Sequence, residues 1–123
     1  MTALAALLTT IAIAPAGVFS GSSAMAPEVS VTVQSGRVVS ASAWTSVFKC
    51  ELGGNVGPAS VSVRTSARIA SNGYVSFSAG RRSRKLSARL RYRKGRISGR
   101  IRVSGTIGGP CASPSIPVSL RRR

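Results

Sequence analysis

Apolar and polar residues alternate along most of the chain, with the two-residue period of a β-strand that buries one face. In the first such stretch Val29, Val31 and Val33 occupy one face, and hydroxyl side chains occupy the other. Ser35-Gly36 follows as a turn signal and leads into a second strand over residues 38–48. These two stretches predict a β-hairpin.

The cleanest alternation covers residues 59–69, where every odd position is apolar or Thr and every even position is polar. Residues 71–73 then predict a three-residue hairpin loop with Gly73 in the left-handed conformation. This loop sets Ile69 opposite Val75, so that the apolar residues of both strands share one face. The segment therefore predicts a second hairpin.

A third hairpin is predicted over residues 86–103, and it is the most distinctive feature of the chain. With Lys94-Gly95 as a two-residue turn, Tyr92 lies opposite Ile97 and the apolar residues of both arms share one face. The other face carries six arginines, which are Arg89, Arg91, Arg93, Arg96, Arg100 and Arg102.

The same register places like charges directly opposite one another on that second face. Arg89 lies opposite Arg100, and Arg93 lies opposite Arg96. Each such pair destabilises a sheet by about a few tenths of a kcal/mol. Either an anion covers this face, or the fold tolerates the repulsion.

The remaining segments complete an all-β pattern. Residues 80–85 are highly charged and predict a connecting loop, whereas residues 116–120 predict a closing strand. Pro117 has no N–H to donate, which places that strand at a sheet edge or beside a bulge. About seven short strands at regular spacing predict a single small antiparallel β-sandwich.

The first 26 residues carry no charged side chain, whereas the rest of the chain holds all 18 cations and both acids. An apolar run followed by small residues predicts a secretory signal peptide over residues 1–26. Cleavage is expected after Ala24 or after Ala26, the second being disfavoured by Pro27 at the scissile bond. The mature chain is then one domain over residues 27–123 without a stable membrane span.

Cys50 and Cys111 are the two cysteines of a chain that we expect to be exported, so we expect them to form a disulfide. A bond that closes a loop of this length removes about 4 kcal/mol of unfolded-state entropy in the chain-entropy model. The chain has no His and no close Cys-x-x-Cys spacing, so a metal site is not expected.

The residue types of the chain give little support to a catalytic function. The chain has two carboxylates, Glu28 and Glu51, and we expect both on solvated surface rather than facing each other as in a glycosidase. The serines fall on outward strand positions, and no local motif pairs one with a lysine. Glycine-rich stretches at residues 53–57 and 106–110 lack the Lys-Ser or Lys-Thr and the helix of a phosphate-binding loop. We therefore expect neither an enzyme nor a cofactor.

The net charge of +16 is informative mainly through its distribution, because GC-rich coding favours arginine regardless of role. Eleven of the 18 cations fall between Arg81 and Arg102. Guanidinium groups bind phosphate and carboxylate in a bidentate manner, and such a field attracts polyanions.

The expected function is that of an exported, non-catalytic domain that binds an anionic polymer or cell-surface component through its arginine hairpin. Wall polymers, acidic polysaccharides and lipid headgroups are the anions outside the cell. Nucleic acid is disfavoured because Tyr92, the aromatic residue of this hairpin, lies on its apolar face, away from the arginines. The alternative is a structural or protein-interaction module whose basic charge is incidental.

The last half of the chain resembles small secreted all-β proteins of high-GC Gram-positive bacteria. The likeness rests on Ile69-x-x-x-Gly73-x-x-x-Phe77, on Gly95-x-Ile97-x-Gly99-x-Ile101, and on a late cysteine before a closing apolar strand that ends in arginine. These motifs are strand and turn patterns. The resemblance therefore implies export and a β-fold, and it implies no activity.

Overall fold

A computed structural model describes residues 16–52, 54–55, 57–107 and 109–123. It confirms the predicted all-β fold and contains no helix among these residues. Its eleven strands are β1 Gly17–Gly21, β2 Glu28–Gln34, β3 Arg37–Thr45, β4 Lys49–Cys50, β5 Gly54–Asn55, β6 Ala59–Arg68, β7 Tyr74–Arg81, β8 Arg84–Arg93, β9 Arg96–Thr106, β10 Pro110–Ala112 and β11 Ile116–Arg122.

All eleven strands belong to one antiparallel sheet that curls into a half-barrel. The main path runs β7-β8-β9-β11-β1-β2-β3-β6, and β10, β4 and β5 extend it from the second half of β9. The sequence led us to expect a sandwich of two sheets with about seven strands. The seven predicted strands correspond to β2, β3, β6, β7, β8, β9 and β11, whereas β1, β4, β5 and β10 were not predicted. The assembly of all eleven into one curled sheet depends on long-range pairings that periodicity does not encode.

The first and third predicted hairpins form with the expected turns. Ser35 and Gly36 both have positive φ angles, of 52° and 73°, as the type I′ turn between β2 and β3 requires. Lys94 and Gly95 also have positive φ angles, of 51° and 78°, in the turn between β8 and β9. The β8–β9 ladder has the predicted register throughout, including Tyr92 opposite Ile97.

The predicted loop over residues 80–85 is instead a hairpin. Strand β7 continues to Arg81 and β8 begins at Arg84, so that Gly80 pairs with Lys85 and Arg81 with Arg84. The pairing uses backbone hydrogen bonds, which charged side chains do not prevent when they can reach solvent. High charge therefore gave the wrong prediction at this turn.

The second predicted hairpin forms at its turn but not along its strands. Gly73 is left-handed, with a φ of 88°, and the Ala70 amide donates to the Tyr74 carbonyl at 2.9 Å. Beyond this turn the expected pairing of Ile69 with Val75 is wrong, because β6 forms its ladder with β3 and β7 forms its ladder with β8. The curled sheet is thus open between β6 and β7.

Part of the predicted signal segment lies in the sheet. Residues 1–15 are outside the described residues, whereas Gly17–Gly21 form β1, which pairs with β2 along its whole length and with the end of β11. Phe19 and Ala26 are fully buried. The removal of residues 1–26 stays a prediction, and the fold gives these residues a structural role that their composition did not suggest.

The predicted disulfide is confirmed. Cys50 of β4 and Cys111 of β10 lie opposite each other in a ladder and are bonded.

The closing strand β11 has a free edge at its proline. At Pro117 the ladder of β11 is with β9, while β1 pairs only with the far end of β11. One side of β11 is therefore unpaired at Pro117, which agrees with the expected edge position of a residue that has no N–H.

The core fills the concave side of the curl. Its largest fully buried side chains are Phe19, Phe48, Leu86, Leu90, Ile97, Ile116 and Leu120. Because successive strand residues point to opposite faces, this inward set fixes the outward set as the hydroxyl and arginine positions. Within the part of the chain that the structure describes, no helix has the length and hydropathy needed to cross a membrane.

Candidate anion-binding face

The convex surface of β8 and β9 carries all six predicted arginines. Along β8, Leu86, Ala88 and Leu90 are buried, which turns the alternating arginines outward. Along β9, Ile97 and Ile101 are buried with the same effect. Five of the arginines are exposed and one is half-buried, so the structure brings together Arg89, Arg91, Arg93, Arg96, Arg100 and Arg102.

Three arginines lie side by side on neighbouring strands, in an arrangement that we name the arginine row. The β8–β9 ladder pairs Arg93 with Arg96, and the β9–β11 ladder pairs Arg96 with Arg121. Neighbouring strands lie about 5 Å apart, so the three side chains start from a line about 10 Å long. Ser20 of β1 continues the same line beyond Arg121.

Arg121 is a residue that the sequence did not assign to the site. The alternation of Ile116, Val118 and Leu120 as buried residues continues to the end of β11, so Arg121 is outward and exposed. This periodicity was visible in the sequence. The strand that lies beside Arg121 was not, because β11 and β9 are separated along the chain by the segment that contains Cys111 and pair only in the folded sheet.

Three other arginines of the face are held by the protein itself. The Arg91 Nε donates to the Asn72 carbonyl at 3.3 Å, and the Arg102 Nε donates to the Ser113 carbonyl at 3.2 Å. Arg100 donates from a terminal guanidinium nitrogen to the Ser115 carbonyl at 3.4 Å. Each contact uses one donor of a group that has five, so the remaining donors stay free for an anion.

The arginine row and Arg89 are different. Within the described part of the chain, the side chains of Arg89, Arg93, Arg96 and Arg121 make no hydrogen bond, ion pair or cation–π contact. Their guanidinium groups are therefore satisfied by solvent alone. These are the groups from which a phosphate or carboxylate can displace water without breaking a contact within the protein.

One aromatic residue does lie on the arginine face, which corrects the reason given for disfavouring nucleic acid. Tyr92 faces inward as predicted, but Tyr74 of β7 is outward, 53% exposed and directly opposite Arg91. The Arg91 guanidinium lies 4.6 Å from the centre of the Tyr74 ring and covers one side of it. The face thus has a single aromatic platform and not a series of them.

The two carboxylates lie outside the arginine row. Glu28 begins β2 opposite the partly exposed Trp44, in a shallow depression that it shares with Arg123. Glu51 follows β4 and lines a second depression with Lys49. The described residues contain no cluster of three or more potential metal ligands.

Comparisons with protein families, with curated proteins and with solved structures found no match for this chain.

Proposed function

We propose that this protein is an exported, non-catalytic β-domain that holds an anionic polymer or surface on its arginine face. The observation that carries the proposal is the arginine row. Arg93, Arg96 and Arg121 stand in direct cross-strand register, and the described structure offers no anion to any of them. A sheet with three like charges in line gains stability when an external anion neutralises them.

The spacing of the face favours a polymer with repeated charges. Arginines two residues apart along a strand lie about 7 Å apart, and those on neighbouring strands lie about 5 Å apart. Arg91 and Arg93 provide the first spacing, and Arg93 and Arg96 provide the second. Successive anionic groups of one flexible polymer can therefore bind successive guanidinium groups, and this multivalency raises affinity without a deep pocket.

The disulfide supports the extracellular location in the proposal. Bonds such as Cys50–Cys111 persist in oxidising compartments and are rare in the cytosol. Outside the cell, phosphate and carboxylate polymers of the wall and anionic lipid headgroups share the chemistry that guanidinium groups recognise. A structural or protein-interaction role with incidental charge is the alternative that the experiment must separate.

The test compares two variants with the same loss of charge. In one, Arg93, Arg96 and Arg121 are replaced by Ser. In the matched control, Ser replaces three exposed cations outside the row, which are Arg37 of β3, Arg64 of β6 and Arg82 of the β7–β8 turn. Binding to soluble poly(glycerol phosphate) is measured over a series of salt concentrations. Polygalacturonate and vesicles containing anionic lipid are run in parallel to identify the source of the anion.

The row variant should bind at least tenfold more weakly than the control variant. The slope of log affinity against log salt concentration should be shallower than that of the control variant by about 2. Each of the three lost phosphate contacts changes this slope by about 0.7, because it releases fewer counterions. Equal weakening of both variants would mean that only total charge matters. In that case the proposal is wrong and the interaction-module alternative is favoured.

A further inference from the structure

Strand β1 is the only described strand that joins the two halves of the sheet. It pairs on one side with β2 through five residue pairs and on the other side with the end of β11. Without β1, the described ladders would leave β2, β3 and β6 as one sheet and the remaining strands as another. Both facing edges would then expose unpaired backbone groups.

The side chains of this segment are part of the core. Phe19 is 0% exposed, and its ring lies edge to face with that of Tyr92, with 6.0 Å between the centroids. Ala26, in the loop that follows β1, is also fully buried. The Met25 carbonyl in the same loop accepts a hydrogen bond of 3.0 Å from the Ser46 amide.

The backbone of β1 approaches β11 very closely at one point. A Cβ atom added at Gly21 would lie 2.3 Å from the Ser119 carbonyl oxygen, so a residue with a side chain does not fit there. At the other end of the pairing, the Arg123 amide donates to the Val18 carbonyl at 2.8 Å. Residues 17–26 are thus fitted to the rest of the fold in backbone as well as in side chains.

We infer that β1 belongs to the mature protein and that the processing site is the bond between Ala16 and Gly17. Ala14-Pro15-Ala16 has small residues at the two positions that signal cleavage requires, and Gly17 is the first residue of β1. Ala14 and Pro15 lie outside the described residues. Cleavage after Ala24 or Ala26, which the sequence first suggested, would remove the strand that joins the two halves.

This placement also explains the sequence pattern. The main apolar part of the N-terminal segment, residues 3–14, ends two residues before the Ala16–Gly17 bond, whereas Val18 and Phe19 follow that bond as part of β1. A hydrophobic run that stops two residues before the cleavage site matches the order of regions in a signal peptide. The inference rests on the export part of the proposed function and is independent of anion binding.

The experiment expresses the full chain in a Gram-positive host and determines the N-terminus of the exported protein by intact mass and N-terminal sequencing. The expected mature chain begins at Gly17. A bulky substitution, Ala16→Tyr, should block processing, whereas the matched control Ala24→Tyr should leave it unchanged. Ala16 and Ala24 are both exposed, so neither substitution disturbs the core.

An exported chain that begins at Met25 or Pro27, or one that retains residues 1–16, would overturn the inference. So would a block by Ala24→Tyr with normal processing of Ala16→Tyr. Binding of the same material to poly(glycerol phosphate) separates this result from the proposed function. A chain that begins at Pro27 and still binds contradicts the inference alone, and a chain that begins at Gly17 and does not bind contradicts anion binding alone.

Discussion

Phe19 of β1 and Tyr92 of β8 lie edge to face, with 6.0 Å between their ring centroids and an angle of 82° between their planes. Strands β11 and β9 separate β1 from β8 in the order of the sheet, so this contact crosses the concave side of the curl. Such an aromatic pair adds about 0.5–1.5 kcal/mol to the free energy of burying the rings. The contact therefore stabilises the curvature of the sheet as well as its core.

Replacing Phe19 by Ala should lower the free energy of unfolding by about 3–5 kcal/mol, because a fully buried ring is lost and a cavity remains. Urea unfolding followed by far-UV circular dichroism measures the change. Val18→Ala is the matched control, since Val18 is half-buried on the other face of the same strand. It should cost about 1 kcal/mol or less. Equal small losses in both variants would show that β1 does not contribute to the folded core.

Gly99 of β9 tolerates no side chain, although it lies opposite Leu90 within a regular ladder. An added Cβ would lie 2.0 Å from the Arg89 carbonyl oxygen, and the φ angle of 153° is unfavourable for other residues. Backbone atoms of a paired strand cannot move away at low cost. Gly99→Ala should therefore lower the free energy of unfolding by about 3 kcal/mol. The neighbouring exposed Ser98→Ala serves as control and should change it by less than about 0.5 kcal/mol.

Loss of the disulfide should destabilise the domain by about 4 kcal/mol, because Cys50 and Cys111 close a loop with a sequence separation of 61. The double variant Cys50→Ser with Cys111→Ser, compared with the native protein in urea unfolding, measures this change. Mass analysis after alkylation under non-reducing conditions provides the independent check. Two alkylated cysteines in the folded protein would contradict the bond.

The turns at Ser35-Gly36 and Lys94-Gly95 and the register of the β8–β9 hairpin could be predicted, because turn chemistry and alternation are both local. The pairing of β6 could not. Its residues have the same alternation whether they pair with β7, which follows in sequence, or with β3, which precedes it. The choice depends on how the whole sheet curls, so the nearest strand in sequence gave the wrong partner.

The candidate site was predictable to the same extent. The six hairpin arginines share a face because their own hairpin sets the register. Arg121 and Tyr74 join that face through the ladders β9–β11 and β7–β8. Neither residue lies in the hairpin itself. The assignment of residues 1–26 to a signal segment stays a prediction. Composition did not indicate that residues 17–21 form β1, since an apolar run followed by small residues fits both an export signal and a core strand.

The arginine row should destabilise the free protein. Arg96 has a like charge on each side, in Arg93 and Arg121. Arg96→Thr removes both repulsions, each of about a few tenths of a kcal/mol, and introduces a residue that favours strands. The free energy of unfolding should rise by about 0.5–1 kcal/mol at low ionic strength. Ser98→Thr, on the same face of the same strand, is the control for strand propensity alone.

Salt and ligand then separate repulsion from propensity. The screening length falls from about 30 Å at 0.01 M salt to about 3 Å at 1 M, so the gain in Arg96→Thr should shrink towards that of Ser98→Thr. A gain that is independent of salt would contradict repulsion within the row. Saturating poly(glycerol phosphate) should reverse the order of stability, because a ligand adds RT ln(1 + [L]/Kd) and the native row binds more tightly. A substitution that stabilises the free fold and weakens its complex marks Arg96 as a residue retained for binding, since the fold alone gains nothing from its charge.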